Sequence, residues 1–345
     1  MSKRPAGALA GIAMILLLAA PAAGAERVRD IVIDDPGAAA AHISATTSAV
    51  RYPVNDGSGA TVAVSVTSAC QASCDAVDPQ GIASFLGTLI HGPEISLLTV
   101  QLDAPFQIEF DCGYGAQACY FPSEDKIVIS GSDMSAYDGA SREFVLAHEY
   151  GHHVASHRES PAPFPAAIDW GTPRWSSHER ICQAHRRGAL VPGDEGLSYY
   201  ENPGEAFAEA FARYHFREGE PKWKWAAFLE PDADAFRAIR EDTLHPWLGR
   251  TVIRVEGRAP AGRQATATSF RTPLDGTVSL RPGDERRRYQ LSLTSPSGRV
   301  LRTSRQGLSV RRQLNFTICG QSRLSLQLEA IRRSSAPFQL LIQRP

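Results

Sequence analysis

"SREFVLAHEYGHHVASH", residues 141–157, decides the reading of this chain. Ser141 is a good helix-capping residue, and the stretch after it reads as one helix. Four histidines, His148, His152, His153 and His157, lie within it. Residues four apart stack on one helix face, so His148 and His152 can reach a single ion. With Glu149 they form H-E-x-x-H, in which two neutral imidazoles hold a metal and the glutamate accepts a proton from water. Gly151 removes a side chain where another element could approach closely. His153 points about 100° away from His152, and His157 is also off the ligand face. Both are expected to be surface or second-layer residues.

A metal held by two histidines needs a third protein ligand. Metzincins take it from H-E-x-x-H-x-x-G-x-x-H, but here Ala155 replaces the glycine and Arg158 the third histidine. No methionine follows Met134, so a downstream Met-turn is excluded. An aspzincin Gly-Thr-x-Asp is excluded too, because "GTPRW" carries Arg174 at the critical place. What remains is a glutamate on a second helix. "NPGEAFAEAFARYHF", residues 202–216, has Asn202 as its cap, Pro203 in the first turn, and Glu205 and Glu209 on one face. Glu205 also fits a capping box with Asn202, and Glu209 could be solvated. Phe207, Ala208, Phe211 and Ala212, however, indicate a buried helix, where carboxylates want partners. One carboxylate as a ligand and one accepting an imidazole N–H would suit the pair.

H-E-x-G-H followed by E-x-F-A-E resembles the gluzincin, thermolysin-like class of zinc metallopeptidases. The pattern is closest to the lethal-factor type of catalytic domain. The resemblance spans roughly residues 80–245 and implies a zincin-like α+β domain holding one zinc ion per chain. It implies His148, His152 and Glu205 as ligands, Glu149 as general base and Glu209 as the residue that bonds His148. It also implies an oxyanion-stabilising tyrosine shortly before Glu205. "SYYENPGE" offers Tyr199 and Tyr200, one residue short of the family spacing, with Tyr199 preferred. Finally, it implies that "KIVIS" (126–130), with Ile127, Val128 and Ile129, is an edge strand on which an extended substrate pairs.

Elsewhere the chain divides by charge. From residue 250 onward there are 18 Arg, no Lys and 5 acidic residues, a net of +13, while residues 1–249 carry a net of −14. Opposite fields of this size argue for two domains. After Trp247, "RYQLSLTSPSGRVL", "RQLNFTI", "RLSLQLEAI" and "PFQLLIQ" alternate apolar with polar residues, predicting an all-β sandwich with arginines on its outer face. This region weakly resembles the pre-peptidase C-terminal β-sandwich of secreted bacterial peptidases, and its basic face could bind an anionic envelope polymer or dock on the acidic half. The expected layout is residues 1–25 as signal peptide, 26–78 as a β-rich segment, 79–249 as the metallopeptidase domain and 250–345 as the basic sandwich. Segment 26–78 is open between a pro-segment and part of the catalytic domain. Before the histidines, helix is expected over 79–91, and strand in "TVAVSVTS", "ISLLTVQL", "PFQIEF" and "DKIVIS". A last helix is expected over about 231–243.

Lys3 and Arg4, an apolar run from about Ala8 to Ala20 and Ala23-Gly24-Ala25 have the layout of a secretory signal peptide. No cysteine precedes Cys70, which excludes a lipidated N-terminal cysteine. Six cysteines in an exported chain read as three disulfides. Proximity favours Cys70–Cys74 and Cys112–Cys119, leaving Cys182–Cys319 to tie the halves together. The expectation is a secreted or periplasmic zinc endopeptidase acting on proteins or peptides, with no nucleic-acid partner and no membrane span in the mature chain. Two alternatives are a zinc amide hydrolase acting on peptidoglycan and a noncatalytic zinc-containing adhesion protein. Retention of Glu149 speaks against the latter, since a purely structural site needs no base.

Overall fold

The computed structural model describes residues 29–32, 48–74, 77–113, 115–132, 140–216, 221–282, 289–304, 313–330 and 336–345, with backbone alone at 29–32, 282, 289 and 336. The segment expected to be a signal peptide, residues 1–25, lies outside the described residues. Six strands form one mixed sheet: β1 (Arg29–Val32), β2 (Val50–Pro53), β3 (Thr61–Val66), β4 (Thr99–Asp103), β5 (Ala116–Phe121) and β6 (Lys126–Ser130). Their spatial order is β1-β5-β6-β4-β3-β2. β3, β4 and β6 run parallel, β5 is antiparallel to β6, and β1 is parallel to β5. The strands of segment 26–78 thus hydrogen-bond into the same sheet as those of 79–249.

The expected substrate edge strand is corrected by this order. β6 is paired on both sides, with Val128 opposite Gln101 of β4 and Cys119 of β5. Ile127, Val128 and Ile129 are buried sheet interior, and their backbone donors and acceptors are committed to neighbours. An apolar run is what a doubly covered central strand requires.

The helices are α1 (Ser68–Ser73), α2 (Pro79–Leu86), α3 (Pro105–Cys112), α4 (Arg142–Ser156), α5 (Ala167–Trp170), α6 (Pro173–His178), α7 (Ile181–Arg186), α8 (Pro203–His215) and α9 (Ala233–Leu244). The expectation of a strand in "PFQIEF" is wrong, for this is α3. Phe106, Ile108 and Phe110 alternate like a strand, yet Phe106 and Phe110 are 60% and 68% exposed. Ile108 and Cys112, four apart, are the buried pair, and with Cys119, Phe121 and Val128 they form a small core on one face of the sheet. The large core lies on the other face and joins the sheet to α2, α4 and α8.

The C-terminal strands are β7 (Thr251–Ala259), β8 (Ala265–Thr272), β9 (Gly276–Pro282), β10 (Tyr289–Thr294), β11 (Val300–Thr303), β12 (Leu314–Ile318), β13 (Ser322–Ala330) and β14 (Ala336–Arg344). They form two four-stranded sheets, β11-β10-β13-β8 and β12-β9-β14-β7. Leu324, Leu326 and Leu328 of one sheet meet Val278, Leu280, Leu340 and Ile342 of the other in one core. The two-residue period puts Arg254, Arg258, Arg271, Arg302 and Arg323 outside. All three expected disulfides are present: Cys70–Cys74, Cys112–Cys119 and Cys182–Cys319. The last links α7 to the loop between β12 and β13. Nearby, the Ser177 hydroxyl accepts from the Asp275 N–H at 2.8 Å, and Gln183 donates to the Cys319 carbonyl at 3.0 Å. Among the described residues, no helix is long and apolar enough to cross a membrane.

Candidate metal centre

Two helices build the site. Ser141 caps α4 by accepting from the Phe144 N–H at 3.1 Å. Asn202 caps α8 by accepting from the Gly204 N–H at 3.0 Å, with Pro203 opening the helix. Both helices depend on a missing side chain. A Cβ on Gly151 would stand 2.9 Å from the Ala208 Cα, so glycine facing alanine lets α4 and α8 approach backbone to backbone. A Cβ on Gly204 would stand 2.1 Å from the Ile168 carbonyl oxygen, which seats the first turn of α8 against α5. Glu205, the next residue, is thereby delivered to the histidines of α4.

The His148 Nε2 is 3.2 Å from the His152 Nε2 and 3.3 Å from one Glu205 oxygen, while the His152 Nε2 is 3.2 Å from the other. A tetrahedral zinc ion with bonds of about 2.0–2.1 Å has ligand-to-ligand edges of roughly 3.3–3.4 Å. The three side chains therefore already sit at metal-ligand spacing, and all three are buried. Their protonation agrees. Burial lowers the His152 pKa, the Glu205 contact opposing only in part. Burial pushes the Glu205 carboxyl up, but His152 and His148 outweigh it and hold the group below the usual carboxylate range. An ionised Glu205 is the form a metal requires, and an imidazole proton shared with it is displaced when an ion binds. The capping-box alternative for Glu205 is not formed, because the Asn202 N–H goes to the Tyr199 carbonyl and the Glu205 oxygens face His148, His152 and Tyr199.

The other expected residues lie around this cluster. Glu149 is wholly buried, one position along α4 from His148. A Glu209 oxygen is 3.4 Å from the His148 Nδ1, and the other accepts from the Arg213 Nε at 3.0 Å. The Tyr199 hydroxyl donates to Glu205 at 2.8 Å, whereas Tyr200 lines the adjoining cleft and packs edge-on against Tyr199. His153 and His157 are off the ligand face as expected, but His153 is fully buried and so is no surface residue.

Sequence reasoning missed Arg213, Trp225 and Gln117. Arg213 sits four residues after Glu209, an ion-pair spacing that could have flagged it. Trp225 packs at tilted or edge-on angles against His148, Tyr199 and Tyr200 and, with Gln117 of β5, lines the cleft that opens beside His148. The Gln117 Nε2 and Trp225 Nε1 are buried donors without an acceptor among the described residues.

No protein-family model matches the chain, and no curated protein matches it. Among solved structures, a mitogen from Yersinia pseudotuberculosis is similar over 28% of this chain and 86% of its own, at 11% identity and a TM-score of 0.21. A pilus of Bacillus endospore appendages is similar over 28% of this chain and 85% of its own, at 12% identity and a TM-score of 0.18. A 4-O-methyl-alpha-glucuronidase with specificity for decorated arabinogalactans covers 77% of this chain and 57% of its own, at 10% identity and a TM-score of 0.19.

Proposed function

We propose that the chain is a secreted zinc-dependent endopeptidase of the gluzincin type, with a zincin-like catalytic domain in which β2 and β3 join residues 79–249, and a basic sandwich over 250–345. The observation that carries this reading is the convergence of His148 and His152, on the helix that holds Glu149, with Glu205 of α8 at tetrahedral spacing. A zinc ion would be held by these three residues and would supply Lewis acidity and a lowered pKa for water. Glu149 accepts the proton of the attacking water and delivers it to the departing amine nitrogen. Tyr199 holds a hydroxyl donor at the ligand cluster, where negative charge develops on the scissile carbonyl oxygen. Glu209, held by Arg213 and 3.4 Å from the His148 Nδ1, would accept that N–H and so fix the tautomer that presents Nε2. Gln117 and Trp225 line the cleft in which a substrate would lie beside His148. Export fits the three disulfides, and the exposed arginines of the sandwich suit an anionic envelope polymer.

The test is direct. The purified chain is incubated with unfolded proteins and with peptidoglycan fragments, with and without a chelator, and metal content is measured alongside. Chelator-sensitive cleavage of proteins with about one zinc at His148, His152 and Glu205 supports the reading. Cleavage of peptidoglycan alone moves the activity to cell-wall amides, and metal binding with no cleavage of either makes the chain a binding protein.

A further inference from the structure

The four histidines of α4 and its C-cap form two pairs, each spaced by four, the second pair starting one residue after the first ends. The proposed catalytic centre uses only His148 and His152. His153 is buried, and its Nε2 lies 2.9 Å from the Glu94 carbonyl oxygen. A carbonyl can only accept, so in the neutral ring Nε2 carries the hydrogen and Nδ1 is left as a lone pair. That lone pair lies 3.0 Å from the Tyr120 hydroxyl and 3.6 Å from an Asp125 oxygen. The same Asp125 oxygen is 2.7 Å from the His157 Nε2 and 3.2 Å from the Tyr120 hydroxyl.

Asp125 reaches the helix from the turn between β5 and β6, where its backbone is left-handed at φ 49°. Aspartate tolerates that conformation better than most residues. The Asp125 and His157 side chains are 29% and 26% exposed, which gives an ion a path from solvent, while His153 anchors the cluster inside.

We propose that Asp125, His153 and His157 form a second divalent-metal site, separate from His148, His152 and Glu205, with the Tyr120 hydroxyl at its border. Two imidazole nitrogens and one carboxylate suit zinc or another imidazole-binding first-row ion rather than calcium or magnesium. A ring nitrogen bonded to a backbone carbonyl, with its other nitrogen turned to the cluster, is how proteins fix the tautomer of a ligating histidine. The ion ties the β5–β6 turn to the C-terminal end of α4, and so steadies the helix that carries the first pair. The competing role for these residues is a hydrogen-bonded network with no ion.

Titration of the chelator-stripped chain with zinc, against a chromogenic chelator, separates the two. The expected result is two equivalents for the wild type and one for Asp125→Asn/His157→Gln, whose asparagine keeps the left-handed backbone accessible. One equivalent is also expected for His148→Ala/His152→Ala, where zinc should still raise the unfolding temperature because binding is linked to folding. Should that variant fail to fold, Glu205→Gln disables the first centre with an isosteric change. The assignment is overturned if Asp125→Asn/His157→Gln binds as many equivalents as the wild type, or if the first-centre variant binds none. If instead the first-centre variant keeps every wild-type equivalent and Asp125→Asn/His157→Gln loses one, the second site stands and the proposed catalytic centre fails.

Discussion

The layer formed by α4 and α8 and the C-terminal sandwich solve burial by opposite means. Between the helices, the core takes in His148, Glu149, His152, Glu205 and Glu209. The sandwich fills its centre with leucine, isoleucine, valine, phenylalanine and alanine. Burying ionisable groups is unfavourable unless each finds a compensating partner. A fold that gathers five on two facing helices gives up stability at that point, and the close approach at Gly151 and Gly204 shows the backbone arranged around them. The apolar centre of the sandwich contains no ionisable side chain and needs no such compensation. Function is therefore expected to be concentrated in the first layer, and tolerance of polar change on the outside of the second.

The largest effect is expected of Glu149→Gln. If the buried carboxylate is a base rather than a packing residue, turnover should fall by about 10²–10⁴-fold or more while zinc content is unchanged. A variant that cleaves at the wild-type rate removes Glu149 from the mechanism. Next in size is Leu326→Ala in the sandwich, which should cost about 2–5 kcal/mol of that core's stability by leaving a cavity. Zinc affinity, measured on the same sample below the unfolding transition, should stay within error. A coupled loss of zinc would mean that the two regions share one cooperative unit and that the contrast drawn between them is false.

Acid should strike the helix layer first. Burial pushes His215, at the end of α8, down to about 4 from 6.5, and its Nε2 accepts the Ile90 N–H at 3.2 Å. Above pH 6.5 the folded and unfolded forms are both neutral here, so the full contribution is present. As pH falls from about 6.5 toward 4, the unfolded chain takes up the proton first and stability is lost, by roughly 3 kcal/mol at most. Urea unfolding at the two ends of this window should show a steeper loss for wild type than for His215→Gln. Equal losses would show that His215 does not set the acid limit.

What was legible in the sequence had a local cause. Ser141, Asn202 and Pro203 mark helix starts through their own hydrogen bonds or ring geometry, and the leucines of β13 mark a face through a period of two. What was not legible depended on neighbours distant in the chain. "PFQIEF" alternates like a strand, but the buried surface offered to it lies under Ile108 and Cys112. β6 looks like any apolar strand, and only the order of the sheet makes it central rather than an edge. Trp225 and Gln117 reach the cleft from segments with no motif of their own. The second histidine pair was visible as letters, yet its partner Asp125 comes from a turn more than twenty residues upstream.

The smallest effect discriminates most finely, because it separates ligand from support. Glu205→Gln removes a charged donor that both histidines already face at 3.2–3.3 Å, so zinc affinity should collapse. Glu209→Gln keeps the shape of a residue whose oxygen stands 3.4 Å from the His148 Nδ1, on the far side of the ring from the cluster. Its amide can still accept through oxygen, but it no longer offsets the charge of Arg213 at 3.0 Å or strengthens the basicity of His148. Affinity or activity should therefore drop by only about 10–100-fold, the usual cost of an outer partner to a metal-bound histidine. Competition against a chromogenic chelator reads both variants on one scale. If Glu209→Gln loses the metal while Glu205→Gln retains it, the two carboxylates exchange roles, and the convergence seen at Glu205 is an ion pair rather than a coordination shell.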